Sequence, residues 1–148
     1  MDSSQANGFQ SAAANTTTLN PGEAAYFNNI SGIPVTFTFV GTVPQGTLSI
    51  TNTNGFNLVS SIVPQGGGLV SALGLTIDFA NSTQDGDRVI TYVNGLFSSL
   101  SVDSSQVSGW QANAPEPQIA VGQGFYYARN SANLSSGNYV WTRTFTVN

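Results

Sequence analysis

The sequence predicts an all-β protein, an antiparallel β-sandwich or jelly-roll-like fold with a partial internal repeat. Three observations predict it. Short runs rich in β-branched and aromatic residues recur along the chain, separated by turn residues roughly every 8–12 positions. No stretch carries helical periodicity beyond a single turn at residues 69–74. The chain also repeats itself. Residues 103–111 (DSSQVSGWQ) differ from residues 2–10 (DSSQANGFQ) at only three positions. Residues 119–127 (IAVGQGFYY) lie over residues 19–27 (LNPGEAAYF), and residues 141–146 (WTRTFT) over residues 35–40 (VTFTFV).

In chain order, the expected strand runs are EAAYFNN at 23–29, IPVTFTFVG at 33–41, TLSITNT at 47–53 and FNLVSSIV at 56–63. LTIDFA at 75–80, RVITYV at 88–93, LFSSLSV at 96–102, GFYYAR at 124–129 and YVWTRTFTV at 139–147 follow. Runs 35–40 and 141–146 alternate most regularly, one face apolar or aromatic and the other bearing hydroxyls, the pattern of a half-buried strand. Asn94 and Gly95 join two of the runs and both tolerate the positive φ of a type I′ hairpin turn. Asn20-Pro21-Gly22, Pro44-Gln45-Gly46, Asn54-Gly55 and Asp85-Gly86-Asp87 are further turn signals.

The repeat divides the chain into a partial N-terminal repeat or connector, residues 1–45, and a complete β unit, residues 46–148. The two copies are expected to share local conformation. Half a β unit leaves apolar faces and strand edges that something must cover. Ala24, Tyr26, Val35, Phe37 and Phe39 are therefore expected to form an assembly interface with another copy of the chain. Trp110, Trp141, Phe39 and Phe145 are expected to be buried, and Arg143, mid-strand, to lie on a partly exposed or interfacial face.

Composition removes several function classes. Charged residues make up 7% of the chain against about 25% in an average protein. Arg88, Arg129 and Arg143 are the only cations, too few and too scattered to neutralise a nucleic-acid backbone. No apolar run is long enough to span a membrane, and the N-terminal residues lack the basic and apolar regions of a signal peptide. With no His, Cys or Lys, the chain has no Ser-His or Cys-His nucleophile, no soft metal ligand and no Schiff-base lysine. The acids are dispersed, and the chain reads as non-enzymatic with no cofactor.

The strings VGTVPQGTLS, GFNLVSSIVPQGG, DGDRVITYVNG, PEPQIAVGQGFYY and WTRTFTVN together resemble uncharacterised secreted β-rich modules of bacterial extracellular proteins of the Verrucomicrobia and Planctomycetes type. The resemblance covers most of the chain from residue 19 onward. It implies an exported, extracellular or cell-surface β protein and no particular activity.

Three constellations remain. Asp85 and Asp87 place hard oxygens two residues apart, as a Ca²⁺ site does, but the surrounding ligands of such a site are missing and a turn opening the next strand is the simpler reading. Tyr126, Tyr127, Tyr139, Trp110 and Trp141 form either a sugar-stacking platform or, the better reading, core. Sequons at Asn15, Asn29, Asn81 and Asn133 are no more than this Asn-, Ser- and Thr-rich composition yields by chance. Two functions follow. One is a structural subunit of an extracellular filament or surface assembly, joined head-to-tail to itself. The alternative is a secreted, non-catalytic polysaccharide-binding module.

Overall fold

A computed structural model describes residues 18–36, 38, 41–130, 132 and 138–147. It is an antiparallel β structure in two layers. The strands are β1 (Gly46–Asn52), β2 (Gly55–Ser60), β3 (Gly67–Gly68), β4 (Arg88–Val93), β5 (Leu96–Ser101), β6 (Gln118–Ile119), β7 (Gly124–Arg129) and β8 (Tyr139–Phe145). One layer is a four-stranded sheet in the order β2-β7-β4-β5, and the other is the β1-β8 pair; β3 and β6 make a short third pairing.

Local chemistry accounts for the strands. In β1, Leu48 and Ile50 alternate with Thr47 and Ser49 and pack against the core. Their partners in β8 repeat the pattern, so Thr47 meets Thr144 at 3.3 Å and Ser49 meets Thr142 at 2.9 Å in a ladder of exposed hydroxyls. Asn94 and Gly95 take φ of 53° and 82° and close the β4-β5 hairpin, as their types predict. All three arginines lie in strands: Arg88 opens β4, Arg129 ends β7 and Arg143 sits within β8.

The core lies between the layers. Trp141 of β8 packs against Phe125 of β7 with ring centroids 6.3 Å apart, and Tyr127, Val89 and Ile119 are buried beside them. A long connection between β3 and β4 supplies Leu69, Leu73, Leu75 and Ile77, and Leu73 accepts the Trp141 indole N–H at 3.2 Å. Residues 68–74 form the expected helical turn, in which Ala72 donates to Gly68 and Gly74 to Val70. Glu116, set between two prolines, closes its start by accepting from the Val70 and Ser71 amides and the Ser71 hydroxyl. Trp110 and Trp141 are buried as expected; Phe145 is half-buried, and Phe39 lies outside the described residues.

Two expected strands are absent. Residues 75–78 run without a ladder partner, because side chains satisfy their backbone. The Gln84 amide bridges the Asp78 N–H (2.6 Å) and the Thr76 carbonyl (3.0 Å), while the Tyr139 hydroxyl accepts the Thr76 N–H (2.8 Å). Residues 23–29 contribute only the bridge from Glu23 to Val59 of β2. None of Val35, Thr36 and Thr38 belongs to a strand either, whereas Phe37, Phe39 and Val40 lie outside the described residues.

The two sequence copies have one turn in common, and the wider shared conformation expected of them is not seen. The Glu23 N–H donates to the Asn20 carbonyl and the Asn20 N–H to the Glu23 carboxylate, at 2.9 and 2.8 Å. The Gln123 N–H donates to the Ala120 carbonyl and the Ala120 N–H to the Gln123 side-chain oxygen, at 3.0 and 2.9 Å. Gly22 and Gly122 supply the positive φ, 87° and 76°, at the third position of each turn. After the turns the copies part: residues 124–129 enter the sheet as β7, whereas residues 24–27 cross its outer face.

Candidate functional site

Asp85 and Asp87 hold structure together. The Asp85 carboxylate accepts from the Ser104 amide and hydroxyl, at 2.9 and 2.7 Å. Asp87 is fully buried, accepts the Tyr127 hydroxyl at 2.8 Å and the Asn130 amide at 2.7 Å, and lies 3.8 Å from the buried Arg129 guanidinium. A buried carboxylate needs this number of partners to remain folded in. Burial, and then the Asp87 charge, push the Tyr127 phenol well above its ordinary pKa. Among the described residues, no group of three or more acids is gathered as metal ligands.

Two surface features stand out among the described residues. The first is a groove of about 430 Å³ beside β1. Ser49, Ile50 and Thr51 of β1 form one wall, Asn57, Leu58 and Val59 of β2 the other, and the turn of Asn20 to Glu23 closes the end. Among the described residues β1 pairs with β8 alone, and Ser49 to Thr51 of β1 border this groove. Gly22 is needed at the closing turn: a Cβ there would stand 2.6 Å from the Ile50 side chain. Hydrogen bonds from Asn20 hold the Glu23 carboxyl below its ordinary pKa.

The second is a row of rings on the outer face of the four-stranded sheet. Phe56 of β2 meets Tyr126 of β7 at 6.3 Å, Tyr126 meets Phe97 of β5 at 6.5 Å, Phe97 meets Tyr92 of β4 at 4.7 Å, and Tyr92 meets Tyr26 at 5.8 Å. Phe56, Phe97 and Tyr26 are more than half exposed, at 66, 60 and 53%. Residues 24–27 reach this face because Gly124 offers no side chain: Ala24 lies 2.9 Å from where its Cβ would be. Tyr26 and Phe27 then wall a groove of about 230 Å³ with Leu58, Ile90 and Gln123.

The expected interface residues therefore divide. Ala24 and Tyr26 rest on the sheet of their own chain, Val35 is exposed at 39%, and Phe37 and Phe39 lie outside the described residues. Of the aromatics considered for a sugar platform, Trp110, Trp141 and Tyr127 are core, Tyr139 is partly buried against it, and only Tyr126 joins the exposed row. Phe56, Tyr92 and Phe97 were not anticipated. A signal for two of them exists, because the Asn94-Gly95 hairpin sets Tyr92 directly opposite Phe97. No family model, curated protein or solved structure matches the chain.

Proposed function

We propose that this protein is a structural subunit of a bacterial extracellular filament or surface assembly, in which copies join head-to-tail by β-strand pairing. The open edge of β1 is the observation that supports this reading most. A two-stranded layer faces a four-stranded one, and the groove beside β1 leaves room where a further strand would lie. Residues 35–40 of a second copy suit that place. They are the sequence counterpart of residues 141–146, most of which form β8, already the neighbour on the other edge of β1. Val35, Phe37 and Phe39 alternate with Thr36 and Thr38, so one side matches Ile50 and the other continues the Ser49–Thr142 hydroxyls. A strand donated in this way joins copies through main-chain hydrogen bonds, and a head-to-tail contact that does not close builds a fibre. Sparse charge and the absence of Lys fit a surface built from uncharged strands.

The test is Thr38→Pro, which removes a main-chain donor at a position that belongs to no strand in its own chain. The parent protein is expected to form fibres or large oligomers by electron microscopy and light scattering at high concentration, and the variant to stay a folded monomer. A parent chain that is monomeric at high concentration overturns the proposal, because residues 35–40 would then fold back on β1 of the same molecule.

A further inference from the structure

The ring row invites a second question, because it lies on a sheet face and not on an edge. Edges recruit strands; faces recruit whatever matches their side chains. Five aromatic rings, one from each of the four strands and one from the crossing segment, form a continuous chain of contacts, each meeting the next by edge or tilt. Contiguous exposed apolar surface of this kind on a small protein marks an interaction site.

The chemistry of the groove narrows the occupant. Among the described residues no Asp, Glu, Lys or Arg lines it, so none of them balances a phosphate, a uronic acid or an ammonium group. A charged ligand would give up its hydration without a counter-charge in return. A purely apolar occupant matches no better, because the rim is polar. The Gln123 side-chain oxygen accepts the Ala120 N–H, which fixes the amide at the groove wall and leaves its NH₂ as the donor. The phenols of Tyr26, Tyr92 and Tyr126 lie close together; the hydrogen bond that the Tyr26 hydroxyl donates to Tyr92 is the main reason the Tyr26 phenol is raised. Apolar ring faces interleaved with neutral donors and acceptors match a molecule with apolar C–H faces and a hydroxyl periphery. Because Phe56 carries the ring contacts on past the groove that Tyr26, Tyr92, Phe97 and Tyr126 line, the molecule is an extended one.

We infer that the outer face of the β2-β7-β4-β5 sheet binds a neutral polysaccharide, which stacks along Phe56, Tyr126, Phe97, Tyr92 and Tyr26 with Gln123 as a hydrogen-bond donor. Four of the five rings sit on hydrogen-bonded strands, so little ordering is needed on binding. The inference stands on different residues from the assembly reading and does not depend on it.

The experiment is native affinity electrophoresis of the full chain in gels containing hydroxyethylcellulose, xyloglucan or galactomannan, with alginate and hyaluronan as anionic controls. Retardation is expected in at least one neutral gel and in neither anionic gel. Phe97→Ala and Tyr126→Ala are each expected to weaken it about tenfold or more, a change of about 1.4 kcal/mol. Phe97 is 60% exposed, so its variant should fold as the parent does, which circular dichroism checks. Failure to bind any neutral polymer, or retardation that survives both substitutions, overturns the inference. So does a Phe97→Ala variant whose only change is the loss of self-association, because the face would then be covered by a second copy.

Discussion

The Asp87 carboxylate, the Tyr127 hydroxyl and the Arg129 guanidinium are all withdrawn from water. Ionising Tyr127 would place a second negative charge beside Asp87, and burial already disfavours the phenolate. The folded-state pKa of this group is raised above its unfolded value, so its contribution to stability is complete below the unfolded value of about 10. It is lost as pH rises toward the folded one. The expected outcome is alkaline destabilisation that begins near pH ~10 in urea titrations and is reduced in Tyr127→Phe. That variant also leaves Asp87 short of one donor, which should cost about 1–3 kcal/mol at neutral pH. Sequence spacing made Asp85-Gly86-Asp87 visible as a turn but not as a buried hub. The partners come from residues 104, 127, 129 and 130, and a distant donor leaves no local trace.

Elements were legible where neighbours in sequence decide them. The Asn94-Gly95 turn and the alternation of residues 47–53 and 139–147 lead directly to the β4-β5 hairpin and to β1 and β8. Residues 75–80 show the limit. Leu75 and Ile77 alternate as a strand would and are buried as a strand's inner face would be. The backbone of Thr76 and Asp78, however, is completed by Gln84 and Tyr139, and nothing in LTIDFA announces that. Gln84→Ala is expected to orphan the Asp78 N–H and the Thr76 carbonyl together. A loss of about 1–3 kcal/mol in chemical denaturation, with faster amide exchange confined to residues 75–78, is the expected result. The candidate site followed the same rule. Tyr92 and Phe97 face each other across a readable hairpin, but Phe56 and Tyr26 join them only through the order of the sheet and the bare floor at Gly124.

On the scale of the whole molecule, two unequal layers share one core, and Trp141 joins them. Its ring lies against Phe125 of the opposite sheet and its N–H reaches the Leu73 carbonyl of the long connection. Trp141→Ala is expected to cost about 3–5 kcal/mol by chemical denaturation, more than any single change on the exposed ring row. The placement of the arginines has a separate consequence. The chain has no lysine, and its three arginines all lie in strands, one buried against Asp87 and one hydrogen-bonded to Gln65. A protease that cuts after basic residues therefore finds the bonds after Arg88 and Arg143 paired within strands, and the bond after Arg129 at the end of β7, where Asp87 holds the Asn130 N–H. Digestion by such an enzyme must wait for a strand to detach, so the rate at which fragments appear becomes a clock for the opening of β4, β7 or β8.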